Sequence, residues 1–144
     1  MINKRRLLIV DDEPDVTLTL KHILEEAGLF QVDTFNDPKM ALSNFRSNLY
    51  DLLVLDIKMP YMNGFELFRQ IRKVDDRVKV CFLTALSESS EYATIISQIC
   101  PNLDGNRVIR KPIDNEQLIN RVNAMIHTFV PNILHLSLQT NILK

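Results

Sequence analysis

Four short strand-like runs each stop at a residue able to do ionic or proton-transfer chemistry. Residues 6–10 end at Asp11 and Asp12. Residues 52–55 end at Asp56, residues 78–83 at Thr84, and residues 107–110 at Lys111 and Pro112. Three carboxylates brought into one crevice repel each other, and they stay ionised together only with a cation among them. Hard oxygen donors, few in number, suit Mg2+, which keeps several waters and bridges to a phosphoryl group. Lys111 adds a point charge that offsets part of the negative charge, and Thr84 adds a hydroxyl donor. Together they make an anion site able to hold a phosphoryl group on a carboxylate. Each residue alone has a plainer reading: acids complement a helix N-terminus, a lone Asp caps a turn, and Thr suits a strand. Acid pair, acid, hydroxyl and lysine at four strand ends in that order do not follow from separate structural causes.

The elements that must position these residues alternate along the chain. Nearly continuous apolar runs suit strands buried on both faces. After the first run, Pro14 opens a helix through Val16, Leu20, Ile23, Leu24 and Ala27, which Gly28 closes. Phe30–Phe35 alternates as a strand, and a second helix is marked by Met40, Ala41 and Phe45. Asn63 and Gly64 open a third helix, residues 87–99 form another, and Asp114 caps a last one through Leu118, Val122, Met125 and Ile126. Five successive strand–helix units predict an α/β fold, with a parallel sheet and helices on both faces. The length favours a flavodoxin-like five-stranded parallel sheet of order 2-1-3-4-5 over a full dinucleotide-binding fold. In that order the first and third strands are neighbours, so Asp11, Asp12 and Asp56 converge at the carboxyl edge, where such sheets bind ligands. The first strand–helix turn lacks the glycines of a phosphate cradle, and there is no G-x-G-x-x-G or Walker A sequence.

The composition narrows the function classes. The chain has 144 residues, 46% of them hydrophobic and 24% charged, which is the balance of one globular domain. A net charge of −1 argues against a nucleic-acid groove or an anionic membrane surface as the main partner. No apolar run approaches the ~20 residues of a membrane span. The basic start is followed by a short apolar run ending in acids, unlike a secretory signal. The expected compartment is the cytoplasm. Cys81 and Cys100 stand in no metal or redox spacing, and Cys81 lies in an apolar run as a buried hydrophobe would.

The sequence resembles a response-regulator receiver domain of two-component signalling. The resemblance rests on Leu7-Leu8-Ile9-Val10-Asp11-Asp12-Glu13-Pro14, the stretch from Asp51 to Glu66, Phe82-Leu83-Thr84-Ala85 and Ile109-Arg110-Lys111-Pro112-Ile113. It covers roughly residues 5–128. It implies that Asp56 accepts a phosphoryl group from the phosphohistidine of a histidine kinase or phosphotransfer protein, and that the modified domain switches its protein–protein contacts. It also implies that Asp12, Asp56 and the backbone carbonyl of Lys58 bind Mg2+, with Asp11 acting through a metal-bound water. Lys111 would pair with Asp56 and then with the phosphoryl group. Thr84 would donate its hydroxyl to a phosphoryl oxygen, and the small Ala85 would leave it room. Met59-Pro60 and Asn63-Gly64 would shape the loop after the acceptor, and Lys111–Pro112 would be a cis peptide. Such a domain is not an enzyme in the usual sense, although it catalyses its own phosphorylation and slow autodephosphorylation.

Three features depart from the family pattern. Val108 stands where many receivers carry Tyr or Phe, so an aromatic rotamer switch is absent. Residues 84–111 are longer than is common, with 100–106 as the excess loop. Residues 1–129 therefore read as the receiver and 130–144 as a tail. That tail is a capping helix, the start of a linker, or a self-association segment that would make a second copy a partner. It is too short for a DNA-binding domain, which needs about 60 residues, so direct nucleic-acid binding is not expected. Without an aromatic lever, the response to phosphorylation is expected in residues 85–90 and 100–106. Two alternatives remain. A haloacid-dehalogenase-type phosphohydrolase also uses a carboxylate, Mg2+, a hydroxyl and a lysine. It needs an acid two residues after its nucleophile, where Lys58 stands, and its acid pair comes late rather than first. The chain could equally be the receiver part of a longer transcription factor or hybrid kinase.

Overall fold

The computed structural model describes residues 3–85 and 107–127. The helix expected over 87–99, the loop 100–106 and the tail 130–144 lie outside the described residues. The described elements are β1 (Arg5–Val10), α1 (Pro14–Glu26), β2 (Phe30–Phe35), α2 (Pro38–Asn44), β3 (Leu52–Asp56), α3 (Gly64–Val74), β4 (Lys79–Ala85), β5 (Val108–Lys111) and α4 (Asn115–His127). The strands form one five-stranded sheet in the order β2-β1-β3-β4-β5, and every pairing is parallel. This is the expected flavodoxin-like order.

The apolar runs are continuous because both faces of the sheet are covered. Leu7, Ile9, Leu52, Val54, Cys81, Leu83 and Ile109 pack with Leu20 and Leu24 of α1 and Leu118, Val122 and Met125 of α4. Leu8, Val10, Leu53, Leu55, Val80 and Phe82 pack on the other face with Ala41 of α2 and Phe65, Leu67, Phe68 and Ile71 of α3. Cys81 is fully buried, and burial pushes its thiol up to about 12.

The helix boundaries follow the capping chemistry. Pro14 sits in the first turn of α1, and Gly28 just past its end takes a left-handed φ of 83°. Asp37, Asn63 and Asp114 accept hydrogen bonds from the backbone N–H groups of Lys39, Glu66 and Gln117. Met40 does not face the core as Ala41 does, and is 55% exposed. In a seven-residue helix the core contact falls to Pro38 and Ala41. At the β2 edge of the sheet, α1 covers one residue. Lys21 donates to the Val32 carbonyl at 3.0 Å, and Glu25 accepts from the Val32 N–H at 3.1 Å. These contacts occupy backbone groups that a free edge strand would offer to another chain.

Candidate phosphoryl site

The register carries the polar strand ends to one edge. β3 lies between β1 and β4, with Val10 beside Leu55 and Asp56 beside Leu83. Thr84 follows Leu83, and Ala85 pairs with Lys111. Asp11, Asp12 and Asp56 each place a carboxylate oxygen within 4.8 Å of the others. This cluster could hold a metal ion. Lys111 crosses from the far strand, with Nζ 3.0 Å from Asp11 Oδ2 and 3.3 Å from Asp56 Oδ1. Asp11 is fully buried and Asp56 is 5% exposed, while Asp12 is half-buried.

The charges do not balance, since three carboxylates face one ammonium among these four groups. Burial pushes the Asp56 carboxyl from its ordinary 3.8 up to about 7; the Asp11 charge adds to this, Lys111 opposes it, and Asp12 adds further. Burial alone would lower Lys111, but its hydrogen bond to Asp11 and the charges of Asp56 and Asp11 outweigh that and raise it. The donor chemistry fits a hard divalent cation, which would add the positive charge that the cluster lacks.

The turn bearing the acid pair is braced by residues that sequence reasoning missed. Asp11 Oδ1 accepts from the Glu13 N–H at 2.9 Å. The Asn36 side-chain amide donates to the Asp11 carbonyl and to Thr17 Oγ1, both at 2.9 Å. Thr17, buried in α1, donates in turn to the Pro14 carbonyl at 3.1 Å. Asn36 had one available signal: it stands at the carboxyl end of β2, on the same edge as the acids. On the other side of Asp56, the Gly64 N–H donates to the Ile57 carbonyl at 2.9 Å. A Cβ at Gly64 would overlap the Asp56 backbone carbonyl, so only glycine lets α3 start this close to the cluster. Thr84 is buried, and its hydroxyl donates to the Ala85 carbonyl at 3.3 Å. Lys58 stands in the loop two residues past Asp56 with its side chain exposed. Lys111–Pro112 is cis.

The response regulator receiver domain profile matches residues 7–123. The chain belongs to the receiver-domain family. Its relatives include the transcriptional regulatory protein CpxR homolog of Haemophilus influenzae, 35% identical over 121 residues that cover 84% of this chain and 50% of that protein. The regulatory protein VanRB of Enterococcus faecalis is 31% identical, with coverage of 84% and 52%. The receiver domain therefore spans about half the length of these relatives. Among solved structures, the non-phosphorylated HemR receiver domain of Leptospira biflexa superposes with a TM-score of 0.74 at 29% identity, covering 90% of this chain and 99% of that one. In the receiver order the acid pair comes first and the lysine last, and the sequence keeps that order. The family match thus displaces the haloacid-dehalogenase alternative. Among the described residues of the receiver, no helix is long and apolar enough to cross a membrane.

Proposed function

We propose that Asp56 is the phosphoacceptor of this receiver domain and that its donor is a protein phosphohistidine. The reading rests on one observation: Asp56 is buried at a strand end where two further carboxylates and Lys111 converge on it. An Asp56 carboxylate oxygen attacks phosphorus. The phosphorus–nitrogen bond breaks, and the imidazole leaves with the electron pair and takes a proton. Asp12, Asp56 and the Lys58 carbonyl would hold Mg2+, with Asp11 acting through a bound water. A bound Mg2+ would neutralise charge on the phosphoryl oxygens. Lys111 turns from its carboxylate partners to the phosphoryl group, and the Thr84 hydroxyl leaves the Ala85 carbonyl to donate to a phosphoryl oxygen. Ala85 leaves room for that approach. The acyl phosphate is then hydrolysed slowly, so the domain acts as a timed switch of protein–protein contacts in the cytoplasm.

The test is intact-mass measurement after incubation with acetyl phosphate. One phosphoryl group is expected on the wild-type chain, and none on Asp56→Asn or in the presence of a chelator. Full labelling of Asp56→Asn would overturn the assignment.

A second reading concerns the setting of the domain. The relatives are about twice the length of the matched region, and the CpxR homolog is named a transcriptional regulator. Residues 1–129 would then be the receiver, and 130–144 would lead toward an effector. The full gene sequence decides this.

A further inference from the structure

The loop between β3 and α3 carries a residue that the fold does not require. Tyr61 has a φ of 69°. In this left-handed region a Cβ crowds the backbone, and glycine is the usual occupant. Its side chain is also 92% exposed, the most of any large hydrophobic side chain among the described residues. The loop is clamped on both sides of it. Met59 is buried, Met62 packs against the core, and Gly64 closes onto Ile57 and the Asp56 carbonyl. Lys39, in the first turn of α2, places Nζ 5.6 Å from the Tyr61 ring centroid. Both α2 and this loop begin at the carboxyl edge of the sheet, the edge that bears Asp56. Glycine would remove the backbone strain, and a polar side chain would avoid an exposed ring. The exposed ring gains only a small contact with Lys39, and strain held in this way concentrates at functional positions.

We propose that Tyr61, with Lys39 beside it, is a specificity-determining contact for the protein that delivers the phosphoryl group. This rests on the assignment of Asp56 as acceptor. A macromolecule that brings phosphorus to Asp56 must approach the carboxyl edge of the sheet, where the loop bearing Tyr61 begins five residues before that tyrosine along the chain. A small phosphodonor need not touch that loop. Tyrosine is favoured at the centre of protein contacts, where a large side chain with few rotors fills a pocket. The Lys39 charge over its ring sets the complement as an apolar pocket flanked by acidic side chains.

The test compares two donors: acetyl phosphate, and a phosphorylated histidine kinase selected because it labels the wild-type chain. For Tyr61→Ala and Tyr61→Gly, the KM for the kinase is expected to rise about tenfold, with kcat within about twofold. Labelling by acetyl phosphate is expected to stay within about twofold, because that donor does not need the Tyr61 ring. Tyr61→Phe keeps the ring and the wild-type KM, and Lys39→Glu raises KM. Tyr61→Gly is expected to melt no lower than wild type, since it relieves the left-handed backbone. Weaker transfer without loss of stability would mark a residue kept for a partner. An unchanged kinase KM in folded Tyr61→Ala would overturn the proposal, as would an equal loss with both donors. A wild-type chain that acetyl phosphate fails to label would overturn the Asp56 reading and this proposal with it. Normal acetyl phosphate labelling with an unchanged KM would overturn this proposal alone.

Discussion

Two aspartates are almost equally shielded from solvent at opposite ends of the sheet, and their surroundings push them in opposite directions. Asp56 ends β3 at the carboxyl edge and is 5% exposed, whereas Asp75 precedes β4 at the amino edge and is 6% exposed. Burial raises both. At Asp75 it is outweighed by three backbone N–H donors, from Asn48 at 2.9 Å, Arg77 at 3.0 Å and Val78 at 3.1 Å, and by the Arg72 charge. Its carboxyl therefore lies below the ordinary range. At Asp56 burial is the largest cause, the Asp11 and Asp12 charges add to it, the shared lysine opposes it, and the carboxyl rises to about 7. Solvent exposure alone does not decide what a buried carboxylate does: stronger desolvation and like charges raise Asp56, and backbone donors lower Asp75. Asp75 ties the end of α3 to the start of β4 and to the turn at Asn48. Asp56 is held in a state that a bound cation would relieve.

The strongest way to break this contrast is to neutralise each acid in turn. Asp75→Ala orphans three backbone donors and is expected to destabilise the metal-free protein by about 2–4 kcal/mol in urea unfolding. Asp56→Asn is expected to act with the opposite sign, stabilising it by about 2–4 kcal/mol at pH 8. If both substitutions moved stability the same way, the contrast would fail.

The pH dependence sharpens the comparison. Asp56 has a folded value raised from 3.8 to about 7. Its contribution is fully present below 3.8, and stability is lost as pH rises through about 7. Asp75 is lowered from 3.8, so its contribution is present above 3.8 and is lost as pH falls through the folded value. Metal-free unfolding free energies measured from pH 2 to 9 should therefore decline on both limbs. Asp56→Asn should flatten only the rise-side loss between pH 4 and about 7. Asp75→Asn should flatten only the acid limb. Exchanged effects would mean that the two environments have been misassigned.

Asp12→Ala gives a smaller shift at the reactive end. It removes one of three repelling acids, each pair worth up to about 4 kcal/mol at 4 Å and an effective dielectric of 20, before relaxation. The melting temperature in chelator should rise, and the further rise on adding Mg2+ should vanish. A variant that melts lower in chelator yet still responds to Mg2+ would contradict this. Val108→Ala should have the least effect. Val108 pairs with Phe82 and packs against the core at its edge. A loss of about 1 kcal/mol is expected, with acetyl phosphate labelling within about twofold of wild type. A labelling defect would show that this valine carries the coupling expected of an aromatic at its position.

Much of the fold is legible in the sequence. A parallel sheet covered on both faces demands continuous apolar runs, and residues 6–10, 52–55 and 78–83 supply them. Asn63 and Asp114 announce helix starts because their short side chains reach backbone donors only three residues ahead. The candidate-site residues are legible for a related reason. Chemistry at this kind of sheet sits at strand ends, so Asp11, Asp12, Asp56, Thr84 and Lys111 stand where apolar runs stop. What only the tertiary structure decided are relations through space. Lys111 lies 3.0 Å from Asp11 and 3.3 Å from Asp56, across 100 and 55 positions of sequence. Asn36 reads as a turn residue until β2 is set beside β1 and its amide meets the Asp11 carbonyl. Asp75 and Asp56 are the same residue type in the sequence. The opposite displacement of their carboxyls depends on donors and charges from other elements, and those fields exist only after the chain has folded. The left-handed backbone of Tyr61, between the packed Met59 and Met62, is likewise a feature that local preference alone would not choose.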